Sequence, residues 1–209
     1  MIAFSDIEKN DTNSMYKIYD DWPNIARDAY KTNLKQITFE KTDHIVFGGM
    51  GGSGAIGDIF SSILSKTNIH VDVVKGYLLP KTVDSKSTVV ITSTSGNTEE
   101  AISVLKSAIN LGCNIIAFSD GGKIKKICEE NNIEYREISM IHSPRASFTK
   151  FLFSMLKILE PIIPIAENDI QESIHELENL RKKSSSKNLN DQNPALSLAY
   201  WITEIPLIY

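Results

Sequence analysis

Five short β-branched runs, alternating with segments of helical period, constrain this chain more than any other feature. The runs occupy 44–47 (HIVF), 71–74 (VDVV), 88–92 (TVVIT), 114–118 (NIIAF) and 133–138 (IEYREI). Most lack polar alternation, as strands covered on both faces do. Between them, Ala55, Ile56, Ile59, Phe60, Ile63 and Leu64 form one apolar helical face. Ala101, Val104, Leu105, Ala108 and Ile109 form a second, with Gly112 placed to end it. Ile124, Ile127 and Cys128 mark a shorter third. Strand and helix repeated in this order predict an α/β fold: a three-layer, doubly wound sandwich around a five-stranded parallel sheet.

The flanks are helical. Asp20-Asp21-Trp22-Pro23 is expected to open a helix carrying Ile25, Ala29 and Leu34, and a strongly apolar helix should run from about 144 to 159. Ile170, Ile174, Leu177 and Leu180 follow one narrow helical face. The stretch 184–192 has linker composition, Asn193-Pro194 restarts order, and 205–209 (IPLIY) reads as a buried strand. At 209 residues the chain suits one domain and a remainder.

Composition excludes several function classes. A net charge of -4 argues against bulk nucleic-acid binding, and Arg181, Lys182, Lys183 and Lys187 read as a solvated helix end. The apolar stretch 151–166 is interrupted by Lys157, Glu160, Pro161 and Pro164, too broken to span a membrane. The first residues lack the basic start and apolar run of a secretory signal. Cys113 and Cys128 form no disulfide framework, so a reducing cytoplasm is expected.

Two polar loops follow strands, where parallel sheets bind ligands. The first, Gly48-Gly49-Met50-Gly51-Gly52-Ser53-Gly54, lets a ligand approach the backbone and adds the Ser53 hydroxyl. It contains GxGxxG, but the acidic residue a dinucleotide site needs at the second strand's end is replaced by Lys75-Gly76; Asp72 lies inside that strand. A tight turn that needs glycine for packing alone is the plainer alternative. The second loop, Ser93-Thr94-Ser95-Gly96-Asn97-Thr98, precedes a helix start marked by Asn97-x-x-Glu100. Hydroxyls and free N–H groups at a helix N-terminus suit a phosphate monoester, and no GxxxxGK[ST] pattern points to a nucleoside triphosphate. Ordinary capping would account for one or two of those hydroxyls. Arg145 follows Ser143-Pro144, in the first turn of the expected helix, where a cation opposes the dipole unless an anion is near. His44, His70, His142 and His175 show no HxxxH or HxH spacing; no metal site is expected, and only His142 lies near Arg145.

Together, GMGGSG at 49–54, SxSGNT at 93–98, GGK at 121–123 and PRA at 144–146 resemble the sugar isomerase (SIS) domain. Within it the similarity is to bifunctional phosphoglucose/phosphomannose isomerases of archaeal type, which have signatures like Asp21-Trp22-Pro23 and Asn193-Pro194-Ala195. The resemblance implies a SIS domain at 41–166 after a helical extension at 1–40. A linker helix at 167–192 and a truncated second SIS domain from 193 to 209 would follow. It implies that Ser93, Ser95 and Thr98 hold a sugar 6-phosphate, and that Gly51, Gly52 and Ser53 line the sugar. Arg145 would stabilise an enediolate as glucose or mannose 6-phosphate becomes fructose 6-phosphate, without cofactor, in a homodimer. The base and ring-opening histidine would lie in the second domain; Glu204 does not match the base. Thr94, Asp120 and Thr149 depart from the family's usual aromatic, Ser and Pro. The competing readings are a non-catalytic SIS sugar-phosphate-binding or regulatory module, and an NADP-binding protein using Lys75.

Overall fold

The structure is a computed structural model that describes residues 2–37, 39 and 42–203; the strand expected at 205–209 lies outside them. Two compact units are distinct, one of residues 28–165 and one of residues 1–27 with 166–209.

The larger unit is built on five parallel strands: β1 (His44–Gly48), β2 (His70–Val74), β3 (Thr88–Thr92), β4 (Asn114–Ser119) and β5 (Glu134–Glu137). Their order is β2-β1-β3-β4-β5, the doubly wound arrangement in which the chain reverses direction across the sheet between β1 and β3. Helices α3 (Gly52–Leu64), α4 (Glu99–Leu111), α5 (Gly122–Glu130) and α6 (Phe148–Ile158) connect or follow the strands; the numbers α1 and α2 belong to two earlier helices described below. The parallel register puts Val46, Val89, Ile91, Ile115 and Ala117 on one face, covered by Val104, Leu105 and Ala108 of α4 and Ile124 and Cys128 of α5. On the opposite face Phe47 stacks on Phe60 of α3 at 5.0 Å, and Thr92 donates its hydroxyl to Met155 Sδ of α6. Burial on both faces explains why β3 reads as an unbroken β-branched run.

Gly112 ends α4 in the left-handed conformation, its N–H bonded to the Ala108 and Ile109 carbonyls, as its position predicts. Two helix starts differ from expectation. The helix expected from 144 begins at Phe148; residues 144–147 form a turn, with the Ser147 N–H on the Ser143 carbonyl. Proline and the Ser143 hydroxyl, which accepts the Ala146 N–H, organise that turn rather than a regular α-helical ladder.

The smaller unit contains α1 (Phe4–Asn10), most of α2 (Met15–Lys31), α7 (Glu167–Ser184) and α8 (Pro194–Thr203). Helix α2 starts before Asp20, with Pro23 buried inside it and Leu34 beyond its end. The start signal is Asp11, whose carboxylate accepts the Tyr16 N–H at 2.8 Å, so a proline two turns later did not set the boundary. In α7, Ile170 and Ile174 are buried whereas Leu180 is exposed. After it, Ser186 donates its hydroxyl to Asp20 Oδ2, and buried Asn193 accepts the Ala195 and Leu196 N–H groups as the cap of α8.

Candidate functional site

The carboxyl ends of β1 and β3 flank the point where the sheet's connections reverse, and a doubly wound sheet binds ligands there. The loop after β1 passes through Gly51, at φ +55°, into α3; the loop after β3 runs from Ser93 to Thr98 into α4. Between them and the turn holding Arg145 lies a cavity of about 130 Å³, lined by Met50, Gly52, Ser53, Thr94, Ser95, Thr98, Pro144 and Arg145.

The β3 loop is fixed from below and left open above. Ser93 is buried, its N–H bonded to the Phe118 carbonyl and its hydroxyl sharing a 2.8 Å hydrogen bond with that of Thr98. Gly96 carries the chain through φ +66° against Gly121. The loop after β4 supports it: the Asp120 N–H meets the Thr94 carbonyl, the Ile124 N–H meets that of Gly96, and the Lys123 N–H meets Asn97 Oδ1. The expected Asn97–Glu100 capping box does not form, because Asn97 is held by Lys123 and by the Ser95 carbonyl, to which its amide donates. Thr98 is the N-cap residue and makes no side-chain cap bond, so the first turn of α4 presents its N–H groups without a protein side chain on them. That is the arrangement an anion needs.

Charge near the site is balanced. Glu99, in the first turn of α4, accepts a 2.6 Å hydrogen bond from Lys123 Nζ, which holds its carboxyl below the ordinary range. Glu100 raises the Tyr77 phenol by its charge. Arg145 is exposed and pairs with no carboxylate among the described residues. A cation left without a counter-ion on the rim of such a cavity is suited to an anionic ligand or a developing oxyanion.

Of the residues singled out from sequence, Gly52, Ser53, Ser95, Thr98 and Arg145 line the cavity together. Gly51 does not line it; it turns the chain into α3. Ser93 also does not, and orients Thr98 from beneath. Thr94, noted from sequence as a departure from the family's usual aromatic, is in the lining too, with Met50 and Pro144, to which the sequence reading gives no binding role. His142 is exposed at φ +59° and outside the lining. Lys75 is ion-paired with Asp58 at 2.6 Å, and Asp72 bonds His44. The lining has no carboxylate or imidazole, hence no general base of the usual kinds. A larger hollow of about 620 Å³, lined by residues including Asp43, His44, Asp84 and Ser87, lies at the amino ends of the strands. Among the described residues, His44, Asp72 and His70 bring one nitrogen or oxygen atom each to within 4.8 Å of the others at that end of the sheet.

Comparison with known proteins agrees with this architecture. The family model described as SIS domain matches residues 38–158. A bifunctional phosphoglucose/phosphomannose isomerase of Caldicellulosiruptor bescii is 34% identical over 179 residues, covering 81% of this chain and 51% of the relative. A protein of the same name from Aquifex aeolicus is 31% identical, covering 80% of this chain and 51% of its own length. The chain thus spans about half the length of the curated relatives it matches. Among solved structures, the C-terminal domain of glucosamine-fructose-6-phosphate aminotransferase from Francisella tularensis superposes with a TM-score of 0.58 at 18% identity. That match covers 81% of this chain and 54% of the other. Among the described residues no helix is long and apolar enough to cross a membrane.

Proposed function

The chain belongs to the SIS domain family, and from that premise we propose that it supplies the sugar-phosphate-binding domain of a hexose 6-phosphate aldose–ketose isomerase. The observation that carries this reading is the cavity between the uncapped start of α4 and the unpaired Arg145. The phosphate sits on Ser95, Thr98 and the first N–H groups of α4. The dianion gains hydrogen bonds and a favourable dipole there without a metal counter-ion. Gly52 and Ser53 face the sugar. The two relatives named as phosphoglucose/phosphomannose isomerases support glucose or mannose 6-phosphate and fructose 6-phosphate as the substrates.

The reaction moves a proton between C1 and C2 through an enediolate. Arg145 stabilises the oxygen on which negative charge develops, an interaction stronger in the transition state than in the bound sugar. A cavity of about 130 Å³ is small beside the roughly 300–1,000 Å³ of sites that enclose a small ligand. It therefore holds one end of a hexose phosphate. The carboxylate base and the ring-opening histidine come from outside it, in this reading from a second SIS unit that starts near 193 and follows a binding domain at 41–166. The working enzyme is a homodimer in the cytoplasm; free Cys113 and Cys128 suit that compartment.

Calorimetric titration of the full chain with fructose 6-phosphate checks the binding step. Saturable binding is expected, and Ser95→Ala with Thr98→Val should weaken it at least tenfold while leaving the circular dichroism spectrum unchanged. Undiminished affinity in the folded double variant would remove the phosphate assignment.

A further inference from the structure

At the opposite end of the sheet from the phosphate loops, His44 opens β1 and His70 opens β2, and the parallel register pairs them directly. Asp72 lies two residues further along β2 and so projects from the same face. Asp72 Oδ2 is 2.9 Å from His44 Nε2 and 3.4 Å from His70 Nε2, and one ligand atom from each of the three residues lies within 4.8 Å of the others. Ligands about 2.0–2.1 Å from a tetrahedral ion stand about 3.3 Å apart, so the two observed edges straddle that spacing.

The groups behind the cluster fit the same role. His44 Nδ1 is 3.2 Å from Ser87 Oγ, which lies 3.1 Å from Asp84 Oδ1. Ser87 is buried and Asp84 has its carboxyl lowered by the backbone N–H of Lys86 and the Ser87 hydroxyl. Ser87 Oγ also accepts the Asp84 N–H, so the hydroxyl, and with it the His44 ring, is held in place while Nε2 faces Asp72. A second shell of this kind orients a ligating histidine. A proton would satisfy one imidazole and the carboxylate. It would not draw the second imidazole to the same carboxylate oxygen, 3.4 Å away and too long for a strong hydrogen bond.

We propose that His44, His70 and Asp72 form a divalent transition-metal site, fitted to zinc, that clips the edge strand β2 to β1. Two imidazoles and a carboxylate suit Zn²⁺ and its surrogate Co²⁺ rather than Mg²⁺ or Ca²⁺, which favour oxygen. His70 is 64% exposed at its side chain, so the fourth position opens to solvent and a water completes the tetrahedron. The ion joins two strands at the sheet's edge and lies far along them from the residues that hold phosphate. Its effect is on the integrity of the edge strand.

The test is a titration of the chelator-treated full chain with Co²⁺, followed by its visible absorption. One equivalent should give the intense bands of four-coordinate cobalt, which Zn²⁺ abolishes by displacement. His70→Ala removes an exposed edge ligand without touching the core, and should weaken binding about a hundredfold; Asp72→Asn should do the same, and His142→Ala nothing. At a zinc concentration a hundred times Kd the Tm should rise by roughly 5–10 °C in the native chain and hardly at all in His70→Ala. Absence of saturable bands, or binding that survives both ligand substitutions, would overturn the site. So would binding lost only in His142→Ala.

Discussion

A β-carbon added at Gly96 would overlap the carbonyl oxygen of Gly121, and the residue's φ of +66° is one that side chains rarely tolerate. The close approach brings the loops after β3 and β4 into contact and so sets the position of Ser95. Gly96→Ala is expected to destabilise the protein by roughly 2–4 kcal/mol, combining positive-φ strain with backbone displacement. Urea unfolding measures it, and a loss below 1 kcal/mol would show that the loops part easily. The same residue explains what could be read from sequence. Small residues and hydroxyls directly after a buried strand mark Ser53, Ser95 and Thr98 as facing open space. They do not tell which hydroxyl the strand's alternation turns inward: Ser93 follows buried Thr92 and ends beneath the loop, while Thr94 reaches the cavity. The pairing of His44 with His70 escapes local spacing altogether, because it depends on the register of two strands 26 residues apart in the chain.

Helix α4 carries the site's electrostatics through its first turn. Thr98 shares a hydrogen bond with Ser93 instead of capping the helix, which leaves the helix dipole available, but Glu99 and Glu100 place negative charge at the end where an anion would bind. Lys123 offsets Glu99 across a 2.6 Å ion pair that is exposed on both sides and accordingly weak as a source of stability. Its consequence is for binding. Glu99→Gln should tighten inorganic phosphate by roughly two- to fivefold, as removing a like charge from a helix's first turn does. Lys123→Ala should weaken it by a similar factor, and both effects should shrink as salt is raised. Competition by phosphate against fructose 6-phosphate would reveal them; equal affinities in all three proteins would mean that the anion does not sit at this helix. At this scale the sequence was most legible for the strands, whose β-branched runs have no competing helical reading. Helix starts are less so: Pro23 reads as a first-turn proline, yet α2 begins at Met15, where the Asp11 carboxylate accepts the Tyr16 N–H.

Across the whole larger unit, the face of the sheet covered by α4 and α5 is sealed, and Cys128 lies in it at 0% exposure. Burial pushes its thiol up to about 12, with the Glu129 charge adding to the effect. An unfolded thiol titrates near 8.5, so above that pH the unfolded chain loses a proton that the native protein retains. The native state then binds more protons than the unfolded state. Stability is therefore full below about pH 8 and falls as pH rises toward 12, by about 1.4 kcal/mol for each unit in that window. Cys128→Ala should lower stability near pH 7 through the small void it leaves, yet flatten the alkaline slope by that amount. Urea midpoints at several pH values between 8 and 11 test this. Other groups that titrate there, such as the half-buried Tyr135 whose phenol is raised by burial, contribute equally to both proteins and cancel in the difference. Parallel slopes would show that water reaches the α4–α5 layer before the sheet comes apart, so that the thiol ionises inside a fold whose strands remain paired.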